Sequence, residues 1–540
     1  MGGAWTRGQG SSPVGDGAFA LRRGAPRGRL RIWAIGLLCA AGALLFASPS
    51  AHAAGCPTIK DKPEQVPHVN YPGVQHLTYC YGPISIHPGQ NIIRFNATDL
   101  FPQVPGYITR FDPDLVYTNG TVPRVDVIHL HHAVWVVNGG PQYAAGEEKS
   151  IVQMPQGFGW RSTPSDSWVV NDMLHDLVGK ATKLYLVWRV DFVPDTSPAA
   201  ASMHRVRTQW MSVAGPSPRV GISSPIYPVF NALRGMGGSD GRYTFPDEAV
   251  GAQRSVIDTN SQTWTPNHPV TLIGTVGHLH PGGLNTDLKV QRGNQKRSLF
   301  RSNAHYYEPA GAVSWDVAMG ATPPDWRVQL QAGDQLSVHT TYDVKNADWY
   351  EVMGIMPVAV YDGLGVGGVG PFQKSLDRQG QLTHGHLAEN RQHGGAPTFL
   401  PNPTKLPAVA PPNPIGITGY KYQQGDLAGV GNSKNLPRVH AGQSLTFKNY
   451  DANPTDNTFH SITDCKAPCN RSTGIAYPIA NGPRTFDSGQ LGYNRAPYNI
   501  GNAPAVGTDT WSTPKNLKPG TYTYFCRVHP FMRGAFRVVK

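Results

Sequence analysis

With 540 residues the chain is too long for one ordinary hydrophobic core, and roughly two to four domains are expected. A hydrophobic content of 39%, with 12 Trp, 22 Tyr and 18 Phe, suffices for packed cores, while 61 Gly and 48 Pro point to short strands and turns rather than long helices. The formal charge of +12 is uneven: Arg7, Arg22, Arg23, Arg27, Arg29 and Arg31 crowd the N-terminus, and the diffuse remainder forms no basic block interleaved with aromatics, which sets nucleic-acid binding aside.

In chain order, residues 1–31 are rich in Gly, Ser and Arg and read as disordered. Ile32–Phe46 (IWAIGLLCAAGALLF) has the length of a signal-peptide core and falls short of the roughly 20 residues that span a bilayer. Small residues follow and end in Ala51-His52-Ala53, an A-x-A cleavage signal. Residues 1–53 are therefore read as a disordered basic N-region and signal peptide, and the protein as exported (periplasmic, secreted or cell-surface), with an uncleaved membrane anchor as the alternative. The cysteines agree with export. Cys56 with Cys80, and Cys465 with Cys469, form plausible disulfides; Cys39 lies in the apolar run, and Cys526 is left over as a metal ligand or reactive thiol.

Residues 54–200 and 201–365 read as two β-sandwich subdomains, divided between Pro194 and Pro225. Their strand signals include Ile92–Phe95, Asp126–Val137, Lys183–Val193, Val270–Val276 and Trp349–Tyr361, separated by Gly, Pro, Asn and Asp clusters. Residues 366–415 form a Gly/Pro/His-rich linker, in which His384, His386 and His393 make a solvated cluster or, less simply, a metal trap. Residues 416–540 form the last domain, with period-2 alternation in Leu436–Tyr450, Phe459–Ile462 and Gly520–Cys526. The fold class is all-β, built from antiparallel sandwiches.

The most informative stretch is Cys526-Arg-Val-His529-Pro-Phe-Met532, at the end of a strand-like run. A tight loop with C-x2-H-x2-M spacing aims a thiolate, an imidazole and a thioether at one point, and a second imidazole would complete a trigonal blue-copper plane with a weak axial Met. His460, in Asn-Thr-Phe-His-Ser-Ile, is the expected fourth ligand, and His440, in a strand-to-turn context, is its competitor. This block resembles the cupredoxins, the amicyanin branch in particular. The resemblance implies a Greek-key sandwich over 416–540, a type 1 copper site made by His460, Cys526, His529 and Met532, and one-electron transfer.

Upstream, His129, His131 and His132 share one strand-like run. Strict alternation puts 129 and 131 on one face and 132 on the other, unless the strand bulges. His278 and His280 are at i and i+2, a two-point chelate, and Met353 lies in a third strand; imidazoles with a thioether suit copper. In these features the middle of the chain resembles the two-copper ascorbate-dependent monooxygenases, the peptidylglycine and dopamine hydroxylase family. The resemblance implies a first copper on His131 and His132, and a catalytic second copper on His278, His280 and Met353 that activates dioxygen. It also implies hydroxylation of a C–H bond in an organic substrate, whose identity the sequence does not give. The family's third ligand on the first copper is a His near residue 190, where Val190-Asp191-Phe192 stands; His175 is the substitute, followed by His204 and His129. Val276 occupies the position of an Arg that peptide-hydroxylating members use, so a peptide substrate is not expected. The appended domain would feed electrons from a redox partner protein or small reductant. The alternative is a non-enzymatic copper-binding electron carrier on an inert scaffold. No His adjoins Cys526 as a trinuclear oxidase requires, only one Cys occupies its loop, and no acidic pair has telling spacing.

Overall fold

A computed structural model describes residues 51–52, 55–60, 66–87, 93–125, 127–176, 181–213, 230–249, 263–307, 312, 315–345, 349–373, 376–382, 401–427, 434–452, 460–465, 485–489, 491–492, 509–526, 529 and 532–540. Apart from Ala51 and His52, the expected signal segment lies outside these residues, as do His384, His386, His393 and Cys469. Among the described residues there is no α-helix, only two single 3-10 turns at Pro198–Ser202 and Pro403–Lys405. The all-β class therefore holds.

The longest sheet begins with Ala51–His52, Gln75–Ile86, Thr182–Pro194, Gly106–Tyr117 and Phe158–Ser162, and continues through His204–Ser212, Gly354–Tyr361, Val270–Thr275 and Val328–Leu330. It thus joins strands from both sides of residue 200. Thr182–Pro194 is central in the first half, with Trp188 opposite Tyr79 on one side and Pro113 on the other. Its alternate residues Leu184, Leu186, Trp188, Val190 and Phe192 are all buried, as period 2 requires. They pack against a second sheet of Ile93–Thr98, Trp168–Asp176, Ile128–Val137 and Gly140–Ala145. Trp135 of that sheet meets Trp188 edge-on with ring centroids 5.4 Å apart. Each such aromatic, fully removed from water, contributes about 2 kcal/mol or more.

The second half of the long sheet faces another layer, ordered Arg242–Phe245, Gln335–Asp343, Gly283–Arg292, Gln295–Tyr306 and Val317–Met319. Phe245, Leu288, Val338, Tyr342, Ile355 and Val358 fill the space between. In the C-terminal part, one sheet holds Leu436–His440, Arg533–Val539, Gly520–Phe525 and Thr463–Cys465, and another holds Ile415–Thr418, Thr446–Asn449 and Thr510–Ser512. Ile417, Phe447, Tyr524 and Phe536 make the core between them.

The sheets are mixed rather than purely antiparallel. Phe158–Ser162 runs parallel to His204–Ser212, Ile415–Thr418 to Thr446–Asn449, and Leu436–His440 to Arg533–Val539. Each of these pairs is joined by a long connection, which tight hairpins cannot provide.

Disulfides and contacts between the parts brace the fold. Cys56 and Cys80 form a disulfide with Cα atoms 5.4 Å apart. Cys465 is also disulfide-bonded. In addition, Phe525 of the C-terminal domain is fully buried in the apolar cluster of the second sandwich, with Cys465 packed beside it. The segment before the last domain is anchored as well, since Arg537 Nη2 donates to the carbonyls of Pro403 and Thr404.

Candidate metal centres

The C-terminal centre is built by two paired strands. Gly520–Phe525 delivers Cys526, and its partner Thr463–Cys465 brings His460 beside it, because Thr463 sits opposite Phe525. The loop between Cys526 and Met532 is closed by its own backbone: Cys526 N–H donates to Met532 O at 3.1 Å, and Met532 N–H to His529 O at 2.8 Å. His460, Cys526, His529 and Met532 are all buried.

His460 Nδ1 and His529 Nδ1 each lie 3.8 Å from Cys526 Sγ and 3.1 Å from one another. A trigonal ion with metal–nitrogen bonds of about 2.0 Å and a metal–sulfur bond of about 2.3 Å spreads its nitrogens about 3.5 Å apart and each about 3.7 Å from sulfur. The residues therefore fit a copper ion with little movement. Sγ also accepts backbone N–H bonds from Ser461 at 3.3 Å and His529 at 3.4 Å. His440 lies elsewhere, exposed, with Nδ1 against Lys540 O at 2.8 Å.

Sequence reasoning missed Asp451, which accepts from His460 Nε2 at 2.9 Å and from the N–H groups of Gly419 and Tyr420. This fixes which nitrogen of His460 faces the metal. Burial disfavours the charged imidazole, yet the bonds to Asp451 and Cys526 outweigh it and raise His460 to about 9. Burial likewise opposes the ionised Asp451, but the His460 bond and the two N–H donors hold it below the usual carboxylate range. Tyr420 sets its ring edge-on to both imidazoles, at 5.6 and 5.2 Å. No spacing signal in the sequence marks either residue.

The upstream histidines meet in the body. The register slips between Leu130 and His132, so the strand bulges at His131 and breaks the alternation. His131 Nδ1 and His132 Nδ1 approach to 3.2 Å as a result. His175 lies directly opposite His129, with rings 4.7 Å apart. The two groups implied by the monooxygenase resemblance are not held apart: the His131 ring lies 4.9 Å from His175 and 4.8 Å from His280. Trp315, which the sequence did not single out, stands among them, 4.7 Å from His129, 5.2 Å from His131 and 4.9 Å from His280. His204, the second choice for a ligand, packs instead on Phe158 and Tyr361.

His278 Nδ1 is held by Glu148 at 2.9 Å, and Gly146 allows the approach, since a Cβ there would lie 2.6 Å from His278 Cε1. Tyr342 links the other two members, its hydroxyl accepting from His280 N and donating to Met353 O. Met353, His132, His278 and Glu148 line a cavity of about 30 Å³. Ala144, Val276 and Pro357 are shared between this cavity and a larger, mostly apolar one of about 90 Å³, lined also by Phe111, Tyr143 and Trp160. Beneath the histidine strand, Glu147 accepts from Leu130 N at 2.6 Å and pairs with buried Lys149, which also meets Asp114.

Burial and the neighbouring imidazoles push His129 and His131 well below the usual histidine range, and lower His132 to about 3. Burial alone lowers His175 to about 4. These rings are neutral at ordinary pH, the form that ligates metals. Among the described residues, His129 is fully buried with no hydrogen-bond partner at either ring nitrogen. The cluster is nonetheless looser than the C-terminal one. Among the described residues, the triads of donor atoms lying within 4.8 Å of one another are His460, Cys526 and His529, and His68, His76 and Asp191.

Neither a family model nor a curated protein matches the chain. Among solved structures it is similar to a Cu(I) amicyanin mutant at 19% identity, over 24% of this chain and 82% of that one, with a TM-score of 0.12. A purple cupredoxin from Nitrosopumilus maritimus is 17% identical over 24% of this chain and 96% of its own, with a TM-score of 0.12. A copper-containing nitrite reductase from Thermus scotoductus SA-01 is 14% identical over 50% of this chain and 55% of its own, with a TM-score of 0.15. These scores are too low to assign a function, and the site rests on its own geometry.

Proposed function

We propose that the protein is a copper-binding electron-transfer protein whose C-terminal domain handles one electron at a time. The observation that carries this reading is the buried triangle of His460 Nδ1, His529 Nδ1 and Cys526 Sγ, whose edges suit a trigonal ion. His460, Cys526, His529 and Met532 would hold copper there, and the bound ion would supply a one-electron couple. The chain's own residues do the rest. Asp451 orients His460, two backbone N–H groups steady the thiolate, and Phe525, next to Cys526, carries the contact to the body. Electrons would come from a redox partner protein or a small reductant. An exported location is supported by the Cys56–Cys80 disulfide, which persists in oxidising compartments.

A second reading, a copper-dependent oxidoreductase of the monooxygenase kind, is favoured by one observation: neutral, buried imidazoles beside an apolar cavity. In this reading His131, His132 and His175 with His278, His280 and Met353 would hold further copper. The cavity lining favours a small apolar substrate over a peptide. Inserting one oxygen atom of dioxygen into a C–H bond, with the other leaving as water, consumes two electrons from a reductant, which the C-terminal domain would relay singly.

Copper analysis of the loaded protein, combined with oxygen-consumption assays, tests both. About three coppers per chain with reductant-dependent oxygen uptake support the oxidoreductase. One copper with an intense thiolate band and no uptake leaves electron transfer alone. Absence of any thiolate-to-copper band would contradict the primary reading.

A further inference from the structure

We infer that the protein carries a separate divalent-cation site, made by His68, His76 and Asp191 at the edge of the first sandwich. Asp191 sits within Thr182–Pro194, opposite His76 on one flanking strand and Arg110 on the other. Its carboxylate is buried, while the His68 and His76 side chains are 41% and 48% exposed. Each imidazole takes a different oxygen: His68 Nδ1 lies 2.7 Å from Oδ2, and His76 Nδ1 lies 2.6 Å from Oδ1. The rings stand edge to face with centroids 5.5 Å apart.

One donor atom from each residue falls within 4.8 Å of the other two, so the three share a focus before any ion arrives. Two imidazoles and a carboxylate form a borderline donor set that takes Zn²⁺ and related divalent transition cations, with bonds of about 2.0–2.2 Å. Only modest opening of the present contacts is needed, because neighbouring ligands on a tetrahedral ion lie about 3.3 Å apart. The exposed rims of both rings leave the remaining coordination positions to water.

The segment that carries His68 and leads into the strand of His76 is held in place. Arg110 Nη1 donates to Val66 O at 2.8 Å, Gly157 N–H donates to the Tyr71 hydroxyl at 2.9 Å, and Ser197 Oγ donates to Pro72 O at 2.5 Å. Tyr71 packs with Val193 and Met203 beneath the turn. Arg110, opposite Asp191 on the flanking strand, turns one guanidinium nitrogen toward Asp112 at 3.5 Å. The site therefore has two half-exposed imidazoles, His68 ahead of the strand and His76 on it, and one buried anchor in Asp191. Its residues are separate from both histidine centres described above.

The test is a Zn²⁺ titration of untagged, copper-loaded protein by equilibrium dialysis, comparing wild type with His68→Ala/His76→Ala. The visible copper band and circular dichroism of the same samples report folding and the C-terminal site. The inference expects one tight Zn²⁺ equivalent in wild type and at least tenfold weaker binding in the double variant, with band and dichroism unchanged. A single His76→Gln exchange should give an intermediate loss. Equal Zn²⁺ binding by wild type and the double variant would overturn the site, whatever the copper band shows.

Discussion

Asp451 sets the protonation of the C-terminal centre from outside the His460–Cys526–His529 triangle. Its bond to His460 Nε2 stabilises the protonated imidazole in the copper-free protein, where His460 rises from 6.5 to about 9. That contribution to stability is fully present below pH 6.5 and fades as the pH climbs through about 9. Copper must displace the proton, so uptake should strengthen by about tenfold per pH unit up to about pH 9 and then level off. Asp451→Asn should move this plateau to lower pH while keeping the thiolate band. Calorimetry of copper binding in buffers of different ionisation heat would read the proton directly, and an uptake independent of pH between 6.5 and 9 would refute the coupling. The grouping of these four residues was legible because three of them fall in one seven-residue loop. Asp451 was not, because its partner is nine residues away and carboxylates carry no spacing signal of their own.

At the scale of the element, the bulge at His131 is the decisive feature. Strict alternation would have aimed His131 and His132 to opposite faces; the slipped register brings their nitrogens to 3.2 Å. Bulges leave little trace in a single sequence, so the hydrophobic pattern gave the strand but not its aim. The support below was equally hidden. Glu147, Glu148 and Lys149 are three consecutive charged residues with no apolar pattern to place them, yet all three are buried. Burial raises Glu147 to about 7, against the pull of Lys149, whose own value is raised by Glu147 and Asp114 despite burial. Removing one partner leaves a buried charge poorly compensated. Glu147→Ala should therefore cost about 3 kcal/mol of unfolding free energy, measured by urea denaturation of the copper-free protein. A loss below about 0.5 kcal/mol would mean the network is solvated rather than structural.

For the whole molecule, strand signals in Lys183–Val193 and Val270–Val276 identified sheet elements, but a single sheet running across residue 200 could not be read from local pattern, because its pairings are long-range. The docking of the C-terminal domain was hidden for the same reason: Phe525 looks like any inward residue of its strand, yet it is buried in the body's core. Phe525→Ala should cost about 3–5 kcal/mol and split one thermal transition into two, as calorimetry would show. A single transition at unchanged temperature would show that the contact does not couple the domains. The central claim is the His460–Cys526–His529 copper centre, and the optical spectrum of copper-loaded wild type beside Cys526→Ser tests it most directly. Wild type should show an intense thiolate-to-copper band that the variant lacks, while any copper held by the body remains; a band of equal strength in Cys526→Ser would contradict the assignment.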